Sequence, residues 1–309
     1  MDTVGAAVDI GTNSVKLIVG RRGDDGAVRV LLDTATITRL GKGVATTGRL
    51  DSGAVQRTLD TLAGFAAQAR AQGATRFVAV GTSALRDAGE SGAQFLIDAR
   101  TALGGPVEVI SGEREARLTY LAARRDPDLN LPPDGPLATS DIGGGSTELV
   151  LGIGDEVHQA ESLQLGAVRL TERVAPRDPW TDDDLVHAAS LADAALSAFT
   201  ASETVYALVA SGGTAANLAG VLRGRRITSA DQVHGQGIDA AERDAALRRL
   251  AALPLSERRT VPGLEPDRAD VIVAGLVIQA AVCRRLGVDR LTVSARGLRY
   301  GLLIELLTP

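Results

Sequence analysis

The stretch "DIGGGSTEL" at residues 141–149 has an earlier counterpart in the same chain, "DIGTNSVKL" at residues 9–17. Aligned on Asp9 and Asp141, both read Asp-Ile-Gly, then Ser14 matches Ser146, Leu17 matches Leu149, and each run closes on a glycine, Gly20 and Gly152. A device written twice constrains the fold, because a repeated supersecondary unit points to a repeated domain. Length agrees: 309 residues are long for one hydrophobic core, and about 100–200 residues per domain suggests two.

The device has a chemistry. A strand ending in Asp, a turn rich in Gly, Ser, Asn or Thr, and a returning strand place a carboxylate beside several free backbone N–H groups. Glycine tolerates positive φ and lets a phosphate oxygen reach the main chain with no Cβ in the way. The expected phosphate-binding residues are therefore Gly11, Thr12, Asn13 and Ser14 in the first turn, and Gly143, Gly144, Gly145, Ser146 and Thr147 in the second. Carboxylates cannot accept from a phosphate, so Asp9 and Asp141 are expected to hold Mg²⁺, or its waters, bridging to it. On two domains that face each other across a cleft, the turns would grip successive phosphates of one ligand.

The rest of the chain follows this duplication. "VGAAVDI", "VKLIVG" and "VRVLLDTATITRL" read as an antiparallel meander, with an Asp-Gly hairpin signal in "RRGDDGA". A helix is expected at about 51–72, capped by Asp51 or Ser52 and carrying Leu59, Leu62 and Phe65 at helical spacing. "RFVAVG" and "GPVEVI" follow as strands, each leading to a helix, "TSALRDA" and "SGEREARLTYLAARR". The four prolines of residues 126–136 mark a boundary, giving domains over 1–128 and 136–309. "LATSDI", "TELVLG" and "EVHQAESL" then restart the meander. Helices near 166–173 and 181–201, the strand "TVYALVA", a helix from "SGGTAANLAG", helices near 239–252 and 267–286, the strand "RLTVSA" and a helix over "GLRYGLLIELL" complete it. Strands alternating with helices give an α/β fold.

Composition removes several function classes. The formal net charge is -5 and aromatics are 3%, so there is neither a broad cationic field nor many rings for base stacking, and nucleic-acid binding is not expected. The longest apolar stretch, residues 271–282, is too short to span a bilayer, and the opening has no basic leader, so the expected location is cytoplasmic with no membrane partner. Cys283 is the lone cysteine and is expected to be a small buried hydrophobe. His158, His187 and His234 lack metal-ligand spacing, and Trp180 reads as a packing residue.

Eight stretches, in order, carry a resemblance: "AVDIGTNS" (7–14), "GTSALRDA" (81–88), "ISGEREARLTYL" (110–121), "DIGGGSTELV" (141–150), "SLQLGAVRLTE" (162–172), "ASGGTAANLA" (210–219), "VPGLEPDRADVIVAG" (261–275) and "GLRYGLL" (297–303). Together they resemble the exopolyphosphatase and guanosine pentaphosphate phosphohydrolase family, within the actin, sugar-kinase and chaperone-ATPase superfamily. The resemblance implies two ribonuclease-H-like (actin-like ATPase) domains with an interdomain cleft. It also implies hydrolysis of a terminal phosphoanhydride of inorganic polyphosphate or guanosine pentaphosphate, and a homodimer.

Read from the residues alone, Glu115 could simply pair with Arg114 or Arg117 on its helix. The resemblance implies instead that it orients the attacking water, falling in "SGEREA" where the family has its catalytic glutamate. Glu148, on the face of Ser146, resembles the family's second acidic residue and would hold Mg²⁺ with Asp141 or help place the water. Arg86 is the expected phosphate-binding guanidinium, since its planar fork matches phosphate oxygens. Ser211, Gly212, Gly213 and Thr214 open a helix whose N–H groups suit an anion. Arg299 matches the arginine of the family's closing segment, while Arg296 and Tyr300 depart from it. Of the pairs Arg124 with Arg125 and Arg225 with Arg226, one is weighed as a guide for a long polyanion. The ending at Pro309 gives an expectation of short-chain polyphosphate.

Overall fold

A computed structural model describes residues 3–23, 28–132, 134–200 and 204–308 of the chain. Residues 24–26, which carry the Asp-Gly hairpin signal, lie outside the described residues. The chain divides into two compact units, residues 1–118 with 298–309, and residues 119–297.

In the first unit, β1 (Val4–Ile10), β2 (Ser14–Arg22) and β3 (Val28–Ile37) form the expected meander. There follow α1 (Val44–Thr47), α2 (Ser52–Ala71), β4 (Arg76–Gly81), α3 (Ser83–Arg86), α4 (Gly89–Leu103), β5 (Val107–Val109) and α5 (Gly112–Arg124), the last crossing into the second unit. The sheet runs β3-β2-β1-β4-β5, with β1 parallel to β4 and β4 parallel to β5. Asp51 caps α2 by accepting from the Ala54 N–H at 2.8 Å. Along β1, Ala6, Val8 and Ile10 face Leu62 and Phe65 of α2 and Phe95 of α4 in one core. The helix α4 was missed in the sequence because Gly89 and Gly92 open it and only a narrow stripe, Phe95, Ala99 and Leu103, is buried beyond them.

The second unit repeats the order. β6 (Leu137–Ile142), β7 (Thr147–Ile153) and β8 (Glu156–Leu163) form a meander, then α6 (Ala167–Val174), α7 (Asp182–Leu196), β9 (Ala207–Ser211) and α8 (Gly212–Arg223). A short β10 (Gly237–Asp239), α9 (Ala240–Ala251), α10 (Leu255–Arg258), α11 (Ile272–Leu286) and β11 (Arg290–Val293) complete it. The sheet order β10-β11-β9-β6-β7-β8 matches the first unit strand for strand, with β10 added antiparallel to the edge. α11 is buried nearly all round, which accounts for the long apolar stretch, and Cys283 is 2% exposed within it with its thiol pushed up by burial. Trp180 packs in the same core. Among the described residues, no helix is long and apolar enough to cross a membrane.

The last helix, α12 (Leu298–Leu307), departs from the expected division at residues 128 and 136. It groups with the first unit because its apolar side chains fill the sheet face opposite α2 and α4. A Cβ on Gly5 would lie 2.9 Å from Leu306 Cδ2, and one on Gly20 would lie 3.0 Å from Leu303 Cδ2. Arg299 adds a two-pronged bond to Asp33 at 2.9 Å for each prong, so this residue ties α12 to β3. Because Leu303 is fully buried, Leu303→Ala should lower stability by about 2–5 kcal/mol. Urea unfolding checks this, and a loss under about 1 kcal/mol would remove α12 from the first core.

Candidate active site

Both repeated turns close by the same hydrogen bond. The Gly11 N–H donates to Ser14 O at 3.1 Å, and the Gly143 N–H donates to Ser146 O at 3.0 Å. Carbonyls of each turn are then taken by donors further along the chain. In the first, Thr12 O accepts from Gly41 at 2.8 Å, and Asn13 O accepts from Thr38 and Arg39 at 3.1 and 3.0 Å. In the second, Gly143 O accepts from Ala167, Gly144 O from Val168 and Arg169, and Gly145 O from the Arg169 Nε at 2.8 Å. With the acceptors taken, each turn is left with main-chain donors, the arrangement of an anion-binding nest. Asn13 is 5% exposed, and its Nδ2 is buried without a partner among the described residues. An unpaired buried donor is costly, so this amide awaits an acceptor.

The first unit brings three chain segments to the carboxyl ends of parallel strands. Ile10, Gly81 and Val109 lie in register on β1, β4 and β5. The turn, α3 and α5 leave from that line, and the bonds from Thr82 N to Ile10 O and from Ile110 N to Gly81 O hold them together. Arg86 and Glu115 therefore meet: Arg86 Nη1 donates to Glu115 Oε2 at 2.8 Å and to Ile110 O at 3.0 Å. Glu115 is 8% exposed, and Arg86 Nη2 is buried without a partner among the described residues. The pairing of Glu115 is thus with Arg86, 29 residues away, while Arg114 turns to Glu108 and Glu305.

The second unit has a different charge pattern at the matching place. Asp141 pairs across the strands with Glu148, which is 3% exposed and accepts from Ser162 Oγ at 2.8 Å. Directly opposed residues on antiparallel strands share a face, and two like charges there are destabilising without a cation. In the first unit the equivalent partner of Asp9 is Lys16, whose Nζ lies 2.8 Å from Asp9 Oδ2. Oxygen donors of this kind suit Mg²⁺, so Asp141 and Glu148 fit the expected ion; the charge of Asp9 is already met by a resident ammonium.

Ser211, Gly212, Gly213 and Thr214 open α8 as expected, and Asp141 is level with Ser211. Gly212 has φ +86°, and a Cβ on it would strike Asp141 Oδ1, so glycine is required twice over. Gly297, whose Cβ would come 3.2 Å from Asp141 Oδ2, closes the other side of the carboxylate. The guanidinium of Arg268 lies against Gly213 and bonds Glu265 at 2.7 Å, a cation that the sequence reading missed because 55 residues separate it from the turn.

A family model described as "Ppx/GppA phosphatase family" matches residues 17–308. The chain belongs to the Ppx/GppA phosphatase family. "Exopolyphosphatase 2" of Mycobacterium tuberculosis is 33% identical to it, over 97% of this chain and 98% of that protein. The "Guanosine-5'-triphosphate,3'-diphosphate pyrophosphatase" of Vibrio cholerae is 31% identical over 97% of this chain and 59% of that longer protein. Among solved structures, the Ppx/GppA enzyme of Aquifex aeolicus superposes with a TM-score of 0.82 at 32% identity, covering 99% of this chain and all of that one. An exopolyphosphatase from Cytophaga hutchinsonii gives 0.89 at 26% identity, covering 99% and 98%. These Ppx/GppA folds match the two mixed α/β sheets described above.

Within this family member, the departure at Arg296 gains a structural account. Arg296 donates to both Asp126 and Asp128, the second at 2.6 Å. His234 Nε2 lies 3.2 Å from Asp126 Oδ2. Asp126, Asp128 and His234 bring ligand atoms within 4.8 Å of one another, a set that could hold a cation, and the Arg296 guanidinium supplies one. The expectation that His234 stands alone is corrected: the fold joins it to Asp126, 108 residues earlier, which no spacing rule reveals. Gly212→Ala should cost about 1–3 kcal/mol from its positive φ alone and more from the blocked carboxylate. Gly224→Ala, with φ +63° and open space around it, is the control. Thermal unfolding of the two should separate them, and equal losses would reject the contact with Asp141.

Proposed function

We propose that this chain is an exopolyphosphatase that releases terminal orthophosphate from inorganic polyphosphate. The observation that carries the reading is the Arg86–Glu115 pair, with Arg86 Nη2 buried and unused beside a carboxylate that is 8% exposed. Phosphoryl transfer needs charge neutralisation and a positioned water rather than covalent chemistry from the protein. Arg86 Nη1 orients Glu115, and its Nη2 remains to bond a phosphoryl oxygen. Glu115 accepts a hydrogen bond from water and directs its oxygen at the terminal phosphorus. The water oxygen–phosphorus bond forms as the bridging oxygen–phosphorus bond breaks, the electron pair leaving with the shortened chain and the water proton passing to Glu115. In each unit the turn donors, at Gly11–Ser14 and at Gly143–Thr147, take negative phosphate oxygens. When bound, Mg²⁺ neutralises phosphate charge, and Asp141 and Glu148 would hold it. The relatives named as exopolyphosphatases support the choice of polyphosphate. Guanosine pentaphosphate is the second substrate to test, because another relative is named for a guanosine polyphosphate. The proposal extends to a cytoplasmic homodimer, which sedimentation would check.

Glu115→Gln should keep polyphosphate binding while phosphate release falls by about 10²–10⁴-fold. Release near the wild-type rate in that variant would reject the role of Glu115. For the metal, titration calorimetry should show Mg²⁺ binding lost in Asp141→Asn and Glu148→Gln and kept in Asp9→Asn. The reverse pattern would move the ion to the first turn.

A further inference from the structure

A groove of about 550 Å³ lies in the second unit, lined among others by Ala216, Asn217, Arg226, Arg259, Val261 and Leu264. It begins one helical turn along α8 from Gly212 and Gly213, the residues expected to bind phosphate. Its far wall is pinned from three sides. Arg258 is 2% exposed, and its guanidinium donates to Leu250 O, Leu253 O and Ala269 O at 2.8, 2.7 and 3.0 Å, fixing both ends of the segment 259–268. Asn217 Oδ1 accepts from the Glu265 N–H at 2.7 Å. Gly263, at φ +89°, sits with its backbone directly on Gly220 of α8.

The charges in this groove are unbalanced. Arg226 and Arg259 are exposed, and neither guanidinium has an ion pair or hydrogen bond among the described residues. The nearest acid in the lining, Glu265, is bonded to Arg268. By contrast, Arg124 is spent on Pro132 O and Arg125 on Asp155, whose carboxyl Arg125 holds below its ordinary value. Of the two arginine pairs weighed above, it is Arg225–Arg226 that presents a side chain, Arg226, to a groove. Guanidinium forks match phosphate oxygens.

We infer that this groove binds the distal phosphates of a polyphosphate chain through Arg226 and Arg259, an inference that rests on the polyphosphate reading above. It follows that longer chains gain affinity, against the short-chain expectation drawn from the sequence. The test is the Arg226→Ala/Arg259→Ala double variant, both positions being exposed. With long-chain polyphosphate, KM should rise about tenfold at unchanged kcat, while both constants for tripolyphosphate stay as in the wild type. The double Lys variant should recover part of the loss. An equal rise for tripolyphosphate, no rise for either, or a rise confined to guanosine pentaphosphate would overturn the inference, the last by assigning the groove to a nucleoside. Wild-type protein that releases no phosphate from any chain would instead reject the activity. The groove is then read separately by fluorescence titration of long-chain polyphosphate against wild type and the double variant, where weaker binding by the variant supports it and equal binding overturns it.

Discussion

The two turns work because their carbonyls are already taken. A hairpin loop of three or four residues exposes donors and acceptors alike, and a polyanion would be repelled by the acceptors as much as it is drawn by the donors. Residues 38–41 in the first unit and 167–169 in the second resolve this by donating to the turn carbonyls. What remains is a cup of N–H groups. Within each unit, Arg86 beside the first turn and Ser211 beside the second stand at the ends of the same parallel strands as the cup.

Duplication kept the geometry and let the charge diverge. Where Asp9 faces Lys16, Asp141 faces Glu148, and these are equivalent positions of the same cross-strand pair. The first unit thus carries a fixed cation, Lys16, beside its turn, where the second carries a second carboxylate, Glu148. The first unit also carries the Arg86–Glu115 pair. Division of labour of this kind is available to a duplicated fold because each sheet presents its loops at the carboxyl ends of the same strands.

Function also leans on residues that touch no ligand. Arg258 is charged, buried and surrounded by carbonyls, and desolvation pushes its guanidinium below the ordinary value. Its three bonds offset that cost and give the segment 259–268 one defined path. Arg296 does similar work between Asp126 and Asp128 next to Gly297, where the chain passes the Asp141 carboxylate. The ties of Arg258 reach residues 5 to 11 positions away, whereas those of Arg296 span about 170.

The sequence by itself determined the local devices. Glycine and polar residues after an Asp specified both turns, β-branched alternation specified the meanders, and Asp51 specified the start of α2, because each depends on neighbours within a few residues. The eight ordered motifs also carried the family and with it Glu115. Only the tertiary structure decided that α12 completes the first unit, that Glu115 is held by Arg86, that Lys16 meets Asp9 while Glu148 stands opposite Asp141, and that His234, Asp126 and Arg296 form one cluster. The reason is physical: turn and helix signals are set by local sterics and hydrogen bonding, whereas charge pairing depends on strand register and on which loops share one end of a sheet. Register is fixed only when the whole core packs.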